Sequence, residues 1–396
     1  MSKEIVLLPG KRTPFGAFGG TLKDLSANDL GVEASKAALK AANVDPKDID
    51  HVIFGNVAQT SEDAPYLARH VGLISGVPIA SPAYTVNRLC GSGFQAIVNA
   101  AEEILCGEAK LILAGGTENM SQAPYVVKNA RWGIRMGHGE LQDYLWAALT
   151  DKYTGLSMAI STEGLAKEKG ISRQASDEFA LRSQMAYKAA FEKGIFKEEI
   201  VSIEVKGRKG DSLKIESDEH PRPKTTLEDL AHLKPYFKED GVVTAGSASG
   251  ITDGAAACVV TTMDLAKEKG LKPIGKLLGW GVSGCEPKHM GIGPALAIPK
   301  ALKRVGLTLK DIDLIEINEA FSAQYLACEK ELGLDRSKVN VNGGAISIGH
   351  PLGASGARIS NHLLYELRRR GKKYGVGSAC IGGGMGIALV FEAILA

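Results

Sequence analysis

Two stretches of the sequence repeat each other, ALKAANVDPKDIDHVIFGNV at residues 38–57 and ALKRVGLTLKDIDLIEINEA at residues 301–320, offset by 263 positions. In each copy a helical pattern ends near KDID, and a short apolar run follows, at Val52–Phe54 in the first and Leu314–Ile317 in the second. Short apolar runs bounded by turn signals are typical of buried strands. The repeat therefore predicts two similar halves, each with a helix that leads into a strand.

The two copies continue in the same order, with a turn, a helix and another strand. The first helix has an apolar stripe of 3.6-residue period over Phe94–Leu105, and the second is expected to begin at Pro351 and to end at Arg368–Gly371. Strands are predicted next, at residues 110–116 and 373–384. Alternating strands and helices predict an α/β fold with mostly parallel sheets, in which two helix-covered domains pack face to face.

Residues 120–245 interrupt the repeat in the first half only. Helices are predicted at Met158–Lys169 and at Ser172–Lys193, the second capped by Ser172, and the rest is polar and rich in proline. Because the insert has apolar helices of its own, we expect a functional cover rather than a linker. The predicted domains are 1–119 with 246–270, the inserted loop domain 120–245, and 271–396.

Composition excludes several classes of protein. The 396 residues are long enough for two cores, and the net charge of +2 provides no field for a polyanion, so no nucleic-acid partner is expected. Six cysteines without a CxxC pair indicate a reducing compartment, predicted to be the cytoplasm. The N-terminal apolar run has only four residues and no run reaches about 18, so neither a signal peptide nor a membrane span is expected. The eight histidines lack metal-ligand spacing, which predicts no metal.

Cys90 is the candidate nucleophile. It lies between a predicted strand and the first apolar helix and is followed by Gly-Ser-Gly. A helix start stabilises a thiolate, so we expect the thiol pKa to fall below the free value of about 8.5. His350 lies at the matching place in the second copy, where facing halves would bring it to Cys90 as a base. The alternatives are a buried inert cysteine and a capping or core histidine.

Two further positions carry groups that can take part in catalysis. Cys380 precedes three glycines at a strand end, where a second thiol can exchange protons and backbone N–H groups can face an oxyanion. The glycines could instead only relieve crowding. Asn318 follows the strand at 314–317 and could hold a water or carbonyl oxygen, or serve as a plain helix cap. The GxGxxG at Gly279–Gly284 is not followed by a helix, so a dinucleotide site is rejected.

Four sequence blocks resemble the thiolase family, in the family's order and across essentially the whole chain: VNRLCGSG around Cys90, NEAF around Asn318, NVNGGAISIGHPLGASGAR around His350 and GSACIGGGMG around Cys380. The blocks look most like 3-ketoacyl-CoA thiolases of fatty-acid oxidation, with acetyl-CoA acetyltransferase as a close sibling. The resemblance implies duplicated αβαβα layers. It also implies an acyltransferase with ping-pong kinetics that uses CoA and acyl-CoA as substrates and has no prosthetic group.

The resemblance also implies roles for residues. Cys90 would form the acyl-enzyme with His350 as base, and Cys380 would act as acid or base on the acetyl carbon or the CoA thiol. One oxyanion hole would come from His350 and a water on Asn318, the other from the N–H groups of Cys90 and Gly382. The CoA site would include Met158, Arg222, Phe237, Ala245, Gly246, Ser249, Met290 and Phe321, with Arg208 as a weaker candidate.

Other implications concern assembly and specificity. The resemblance suggests a homodimer or homotetramer, with tetramers formed through the 120–245 insert. Ser157 stands where acetoacetyl-CoA-specialised members often have His, which favours a broader range of acyl chain lengths. The alternatives are a 3-ketoacyl synthase, which usually pairs its cysteine with two histidines or with His and Asn, and an acyl-CoA-binding protein without turnover. In this sequence Cys380 replaces the second histidine of the synthases.

Overall fold

The computed structural model describes residues 3–207 and 211–395. Its strands are β1 (Ile5–Leu7), β2 (Lys11–Arg12), β3 (Gly16–Ala17), β4 (His51–Gly55), β5 (Ala83–Val86), β6 (Leu111–Glu118), β7 (Tyr125–Val127), β8 (Leu141–Asp143), β9 (Thr150–Asp151), β10 (Leu156–Ser157), β11 (Ile203–Lys206), β12 (Ser212–Ile215), β13 (Thr252–Thr262), β14 (Gly275–Gly284), β15 (Leu314–Ile317), β16 (Tyr374–Ile381) and β17 (Met385–Ala393). Its α-helices are α1 (Ala27–Ala42), α2 (Leu67–Ile74), α3 (Ser92–Cys106), α4 (Tyr144–Ala148), α5 (Met158–Lys169), α6 (Arg173–Glu192), α7 (Leu227–His232), α8 (Met263–Glu268), α9 (Gly293–Arg304), α10 (Ser322–Leu332), α11 (Ala345–Ile348) and α12 (Ser355–Arg369).

The main strands follow the order β15-β16-β17-β14-β1-β13-β6-β4-β5, in which the short contact of β1 with β14 joins the two halves. Pairing is parallel between β4 and both β5 and β6, and between β15 and β16. The other pairs along this path are antiparallel, so the sheet is more mixed than the sequence predicts. One reason is the three-residue turn between β16 and β17, which permits only an antiparallel hairpin. The predicted layered α/β class is confirmed.

The repeat is visible as equivalent elements. With the offset of 263 residues, β4 corresponds to β15 and α3 to α12, and a short 3-10 turn precedes the strand in each half, at Pro46–Asp48 and Leu309–Asp311. Two predicted boundaries are wrong. The second helix begins at Ser355 rather than Pro351, because a turn intervenes, and the strand predicted at 373–384 ends at Ile381 as β16, because residues 382–384 form the turn that leads into β17. The GxGxxG glycines lie within β14, and a 3-10 turn at Pro287–Ile292 precedes the next α-helix, α9.

The hydrophobic core is arranged in layers rather than as two separate domain cores. The central layer consists of α3 and α12, whose buried side chains, such as Phe94 and Ile359, form one cluster with strands of both halves. The outer cores lie under α1 and α2 in the first half and under α9 and α10 in the second. Each half therefore supplies one face of a core that neither half contains alone.

The central helices cross at two equivalent glycines, Gly93 of α3 and Gly356 of α12, which are 263 positions apart. A Cβ added at Gly93 would lie 2.7 Å from the backbone nitrogen of Ala357, and one at Gly356 would collide with the backbone nitrogen of Phe94. Only glycine on both helices allows backbones to approach this closely. The crossing brings the N-terminal ends of α3 and α12 together.

The insert is held to both halves by a buried charge cluster. Arg12 lies 2.7 Å from Glu199 and 2.6 Å from Asp218, and His362 Nδ1 of α12 lies 2.6 Å from the other oxygen of Glu199. Burial opposes the charge of Arg12, but Asp218 and Glu199 more than compensate and raise its pKa. Removing one member would leave a buried charge unpaired, which is strongly destabilising. The helices predicted in this insert, including the Ser172 cap, are confirmed by α5 and α6.

We predict that Gly356→Ala lowers the free energy of unfolding by about 3 kcal/mol or more, because the added Cβ overlaps backbone that cannot move without parting the helices. Gly164→Ala is the control. Gly164 is an exposed residue of α5 with no atom within 4 Å of an added Cβ, so alanine should stabilise by roughly 0.5–1 kcal/mol. Chemical denaturation of both variants checks the pair; equal effects would contradict the importance of the crossing.

Candidate active site

One cavity, of about 170 Å³, is lined by Cys90, His350 and Cys380 together. Cys90 lies in the turn between β5 and α3, His350 lies between α11 and α12, and Cys380 lies near the end of β16. Cys90 and His350 are 260 positions apart and meet because α3 and α12, which follow them, cross at their N-terminal ends, and β16 brings Cys380 to the same cavity. The expected meeting of the two thiols and the imidazole in one pocket is therefore present in the structure.

The Cys90 turn is tightly constrained. Leu89 has a φ of +47°, a conformation that a leucine adopts only under strain. The hydroxyl of Ser92 donates to Leu89 O at 2.7 Å and accepts from the backbone N–H of Arg88 at 2.8 Å. These bonds fix the turn at the start of α3 and hold Cys90 at the cavity wall.

Burial raises the pKa of the Cys90 thiol to about 11, although the backbone N–H groups of Gly382 and of Cys90 itself face the sulfur and act in the opposite direction. The sequence predicts a lowered pKa, and that prediction is wrong. The cost of placing a charge in an apolar cavity exceeds the stabilisation that these donors supply. Cys90 is therefore a neutral thiol near pH 7 and needs a base before it can attack.

His350 is suited to be that base. Its Nδ1 lies 2.6 Å from Ser355 Oγ and its Nε2 lies 3.2 Å from Asn318 Nδ2. Burial, aided by the positive charge of Arg358, lowers its pKa to about 3, so the imidazole is neutral near pH 7 and can accept a proton.

The place of His350 in the repeat differs from the expectation. With the offset that aligns α3 and α12, Gly353 is the residue equivalent to Cys90, and His350 is equivalent to Asn87. His350 thus lies three residues before the position equivalent to Cys90, in the turn that precedes α12. The turn, and not exact equivalence in the repeat, brings His350 to the cavity.

Asn318 is buried directly behind His350, immediately after β15. Its amide nitrogen faces His350, whereas its Oδ1 has no hydrogen-bond partner among the residues that the structure describes. The neighbouring Glu319 accepts hydrogen bonds from Ser183 Oγ, Asn340 Nδ2 and the backbone of Ile346, which fixes this turn. Asn318 does not line the cavity itself, but it contacts His350, which does.

Cys380 is fully enclosed, and burial together with the nearby Cys90 raises its pKa well above the ordinary value. The glycine turn follows, in which Gly383 and Gly384 have φ values of +78° and +82° that favour glycine. A Cβ at Gly382 would lie 3.1 Å from Met158 Sδ. The backbone N–H of Gly382, in this turn, faces the Cys90 sulfur.

The residues expected to bind CoA fall into two groups. The first group lines the same cavity as Cys90: Met158, Phe237, Ser249, Met290 and Phe321. The second group lies outside it, with Arg222 and Ala245 exposed and Gly246 half-buried against Leu230 and Leu233. Arg208 lies outside the described residues.

Several cavity residues are absent from the expected set. Trp146 stacks on Phe237 with 6.2 Å between ring centroids, and Leu149 and Leu352 line the wall near Cys90. A second cavity of about 320 Å³ also opens beside Cys90 and is lined by Leu149, Leu352 and Gly382. The insert carries no periodic signal around Trp146 that would have indicated a role for it in the cavity.

Ser157, the position expected to bear on chain length, is the N-cap of α5. Its hydroxyl accepts a hydrogen bond from the backbone N–H of Ile160 at 3.3 Å.

In the described ranges 3–207 and 211–395, no cluster of three His, Cys, Asp or Glu side chains could hold a metal ion. No helix among those residues is long and apolar enough to cross a membrane.

Comparisons with known proteins identify the family of the chain. Family models described as the thiolase N-terminal domain and the thiolase C-terminal domain match residues 5–264 and 271–393. Human mitochondrial 3-ketoacyl-CoA thiolase is 56% identical over 98% of both chains, and an acetyl-CoA acetyltransferase of Syntrophomonas wolfei is 49% identical over the full length of both. A crystal structure of the human enzyme in complex with CoA has a TM-score of 0.97 at 55% identity and covers 99% of this chain and 98% of that one. The chain belongs to the thiolase family.

Proposed function

We propose that this acyltransferase cleaves 3-ketoacyl-CoA with free CoA to give acetyl-CoA and a shortened acyl-CoA, and that it also catalyses the reverse condensation of two acetyl-CoA molecules. The observation that carries the proposal is the single cavity lined by Cys90, His350 and Cys380. The names of the human and Syntrophomonas relatives support the two directions. The presence of Cys380, where 3-ketoacyl synthases usually have a second histidine, favours a thiolase over a synthase.

In the first half-reaction, His350 Nε2 removes the proton of the Cys90 thiol as its sulfur attacks the 3-keto carbon. The bond between C2 and C3 of the substrate then breaks, and the shortened acyl group stays on Cys90 as a thioester. The electron pair of the broken bond goes to the acetyl-CoA enolate. Cys380 donates a proton to its carbon, and acetyl-CoA leaves.

In the second half-reaction, Cys380 takes the proton of the incoming CoA thiol. The CoA sulfur attacks the acyl-Cys90 carbonyl, and the Cys90 sulfur leaves and recovers its proton from His350. Because both thiols are neutral in the resting site, charge develops only while substrate fills the cavity.

Developing oxyanions would be stabilised at two places. The backbone N–H groups of Cys90 and Gly382 face the Cys90 sulfur and suit the tetrahedral oxygen of the acyl group. The pair of His350 and Asn318 suits the enolate oxygen, because the buried amide oxygen of Asn318 is free to accept from a water that donates to the enolate.

CoA would enter past the apolar side chains Met158, Phe237, Met290 and Phe321, with the pantetheine amides at Ser249 and Gly246. Arg222, which is exposed, would meet the nucleotide end. The second cavity, beside Cys90, provides room for an acyl chain longer than acetyl. Together with Ser157, it supports a range of chain lengths beyond four carbons.

We predict thiolysis of acetoacetyl-CoA, followed as loss of the enolate absorbance, that requires free CoA and no malonyl donor. Saturated 3-ketoacyl-CoA substrates of six to sixteen carbons should also react, with kcat/KM for the medium chains at least equal to that for acetoacetyl-CoA. Turnover only with a malonyl donor would favour a synthase, and CoA binding without turnover would favour a binding protein.

We predict that acetyl-CoA labels Cys90, detected by mass spectrometry of the intact protein and its peptides. Cys90→Ser should lose the label, whereas Cys380→Ser should keep it and lose exchange of the acetyl protons, because proton transfer needs the second thiol. Cys106→Ser, at the exposed end of α3, is the matched control and should behave as the unchanged protein. A label on another cysteine would contradict the assigned roles.

The domain division 1–119 with 246–270, 120–245 and 271–396 is also proposed. It is supported by β13, which pairs with β1 and β6 of the first half although it follows the insert.

We further propose a cytoplasmic location, supported by six free cysteines, which suit a reducing compartment. The competing location is the mitochondrion, given in the name of the human relative, and fractionation of the native cell distinguishes the two.

We propose a homodimer or homotetramer, supported by exposed apolar residues on the segment around β7 and β8, among them Trp132, Met136 and Leu141. Light scattering should give two or four times the 41.8 kDa chain mass. Trp132→Ser with Met136→Ser should lower the mass of a tetramer to that of a dimer, whereas Tyr236→Ser, an exposed aromatic outside this segment, should not. A monomeric unchanged protein would contradict the proposal.

A further inference from the structure

His350 has one side-chain contact that the proposed reaction does not use. Ser355, the first residue of α12, is fully buried, and its Oγ lies 2.6 Å from His350 Nδ1 and 3.0 Å from the carbonyl oxygen of Pro351. A hydroxyl has one proton, and a carbonyl can only accept. When Ser355 donates to Pro351, its oxygen must therefore accept the proton of His350 Nδ1.

The other side of the ring agrees with this direction. Asn318 Nδ2 faces His350 Nε2 at 3.2 Å, and a donor in this place meets a lone pair when the ring proton is on Nδ1. With the proton on Nε2 instead, two donors would face each other across this contact. The contacts on the two ring nitrogens thus fit the same tautomer, with the proton on Nδ1.

We propose that Ser355 is a positioning residue that holds the His350 proton on Nδ1 and thereby keeps the ring lone pair on Nε2, the atom that takes the proton of Cys90. The inference rests on the proposed role of His350 as base. No carboxylate hydrogen-bonds to His350 in the part of the chain that the structure describes, so the hydroxyl occupies the place that an aspartate has in a Ser-His-Asp triad. A neutral orienting group fixes the ring without stabilising a permanent imidazolium, which suits a base that must return its proton in the second half-reaction.

The chain offers a matched control on the same helix. Ser360 is also fully buried in α12, and its hydroxyl donates to the carbonyl oxygen of Gly356 at 2.8 Å, the same bond to the residue four positions earlier that Ser355 makes to Pro351. The hydrogen bonds of Ser360 do not include His350. Alanine at either position removes one buried hydroxyl from α12, but only Ser355→Ala changes the surroundings of the imidazole.

The test measures Cys90 acylation by acetyl-CoA under single-turnover conditions in the full-length enzyme. Ser355→Ala should slow acylation about tenfold or more with KM for acetyl-CoA changed less than twofold, because ring orientation is lost and substrate contacts are not. Ser360→Ala should stay within about twofold of the unchanged protein, and Ser355→Thr, which keeps the hydroxyl, should recover part of the rate. Equal rates for the Ser355→Ala and Ser360→Ala variants would overturn the proposal.

A spectroscopic readout makes the test independent of rate and of variant stability. In protein labelled with 15N-histidine, the His350 signals, assigned by their loss in His350→Gln, should report a protonated Nδ1 in the unchanged enzyme and a mixture of tautomers in Ser355→Ala. A proton found on Nε2 in the unchanged enzyme would refute the inference. Full acylation by His350→Gln would instead refute the role of His350 as base, so the two failures are distinguishable.

Discussion

The close crossing of α3 and α12 at Gly93 and Gly356 is the constraint on which the molecule depends. Neither helix carries a side chain at the contact, so the two backbones touch and the helix starts lie side by side. The turn before α3 carries Cys90, and the turn before α12 carries His350. A site composed of residues 260 positions apart follows from this contact. The shared central core follows from it as well, because both helices bury their apolar faces in one cluster.

The electrostatics of the cavity follow from its burial. An enclosed apolar site disfavours every charged form, which raises the thiol pKa of Cys90 and Cys380 and lowers the pKa of His350. The resting site therefore holds neutral acids and a neutral base. Such a site suits the proposed reaction in either direction, because no permanent ion pair has to be broken. The orientation of the hydrogen bonds around His350 then matters more than any nearby charge.

The sequence predicted much of this fold from one repeat. The equivalent strands at 51–55 and 314–317 and both helices of the insert lie where the patterns place them, because apolar periodicity and caps are local signals. The start of α12 was misplaced, since Pro351 suits a helix start and a turn equally well. The antiparallel pairs at the centre of the sheet could not be predicted. Their direction depends on how strands that are distant in sequence are placed beside each other, and no local pattern records this.

Only part of the candidate site could be predicted from the sequence. Cys90, His350 and Cys380 stood out through their glycine-rich surroundings and through family resemblance, and they do meet. The thiol pKa of Cys90 was misjudged, because a helix start is visible in sequence and the depth of a cavity is not. Trp146 and Ser355 were missed for a related reason. Trp146 contacts Phe237, which is distant in sequence, and Ser355 contacts His350 across a turn. Neither contact is visible in the sequence.

The buried cluster around Arg12 also has a consequence for how the chain is made. During synthesis Arg12 leaves the ribosome early, Glu199 and Asp218 emerge some 190 residues later, and His362 emerges only near the end. From the emergence of Glu199 until that of His362, 163 residues later, the Arg12 and Glu199 pair lacks its last member. The insert can thus dock on the nascent first half before α12 has been made. His362 of α12 then completes the buried charge cluster.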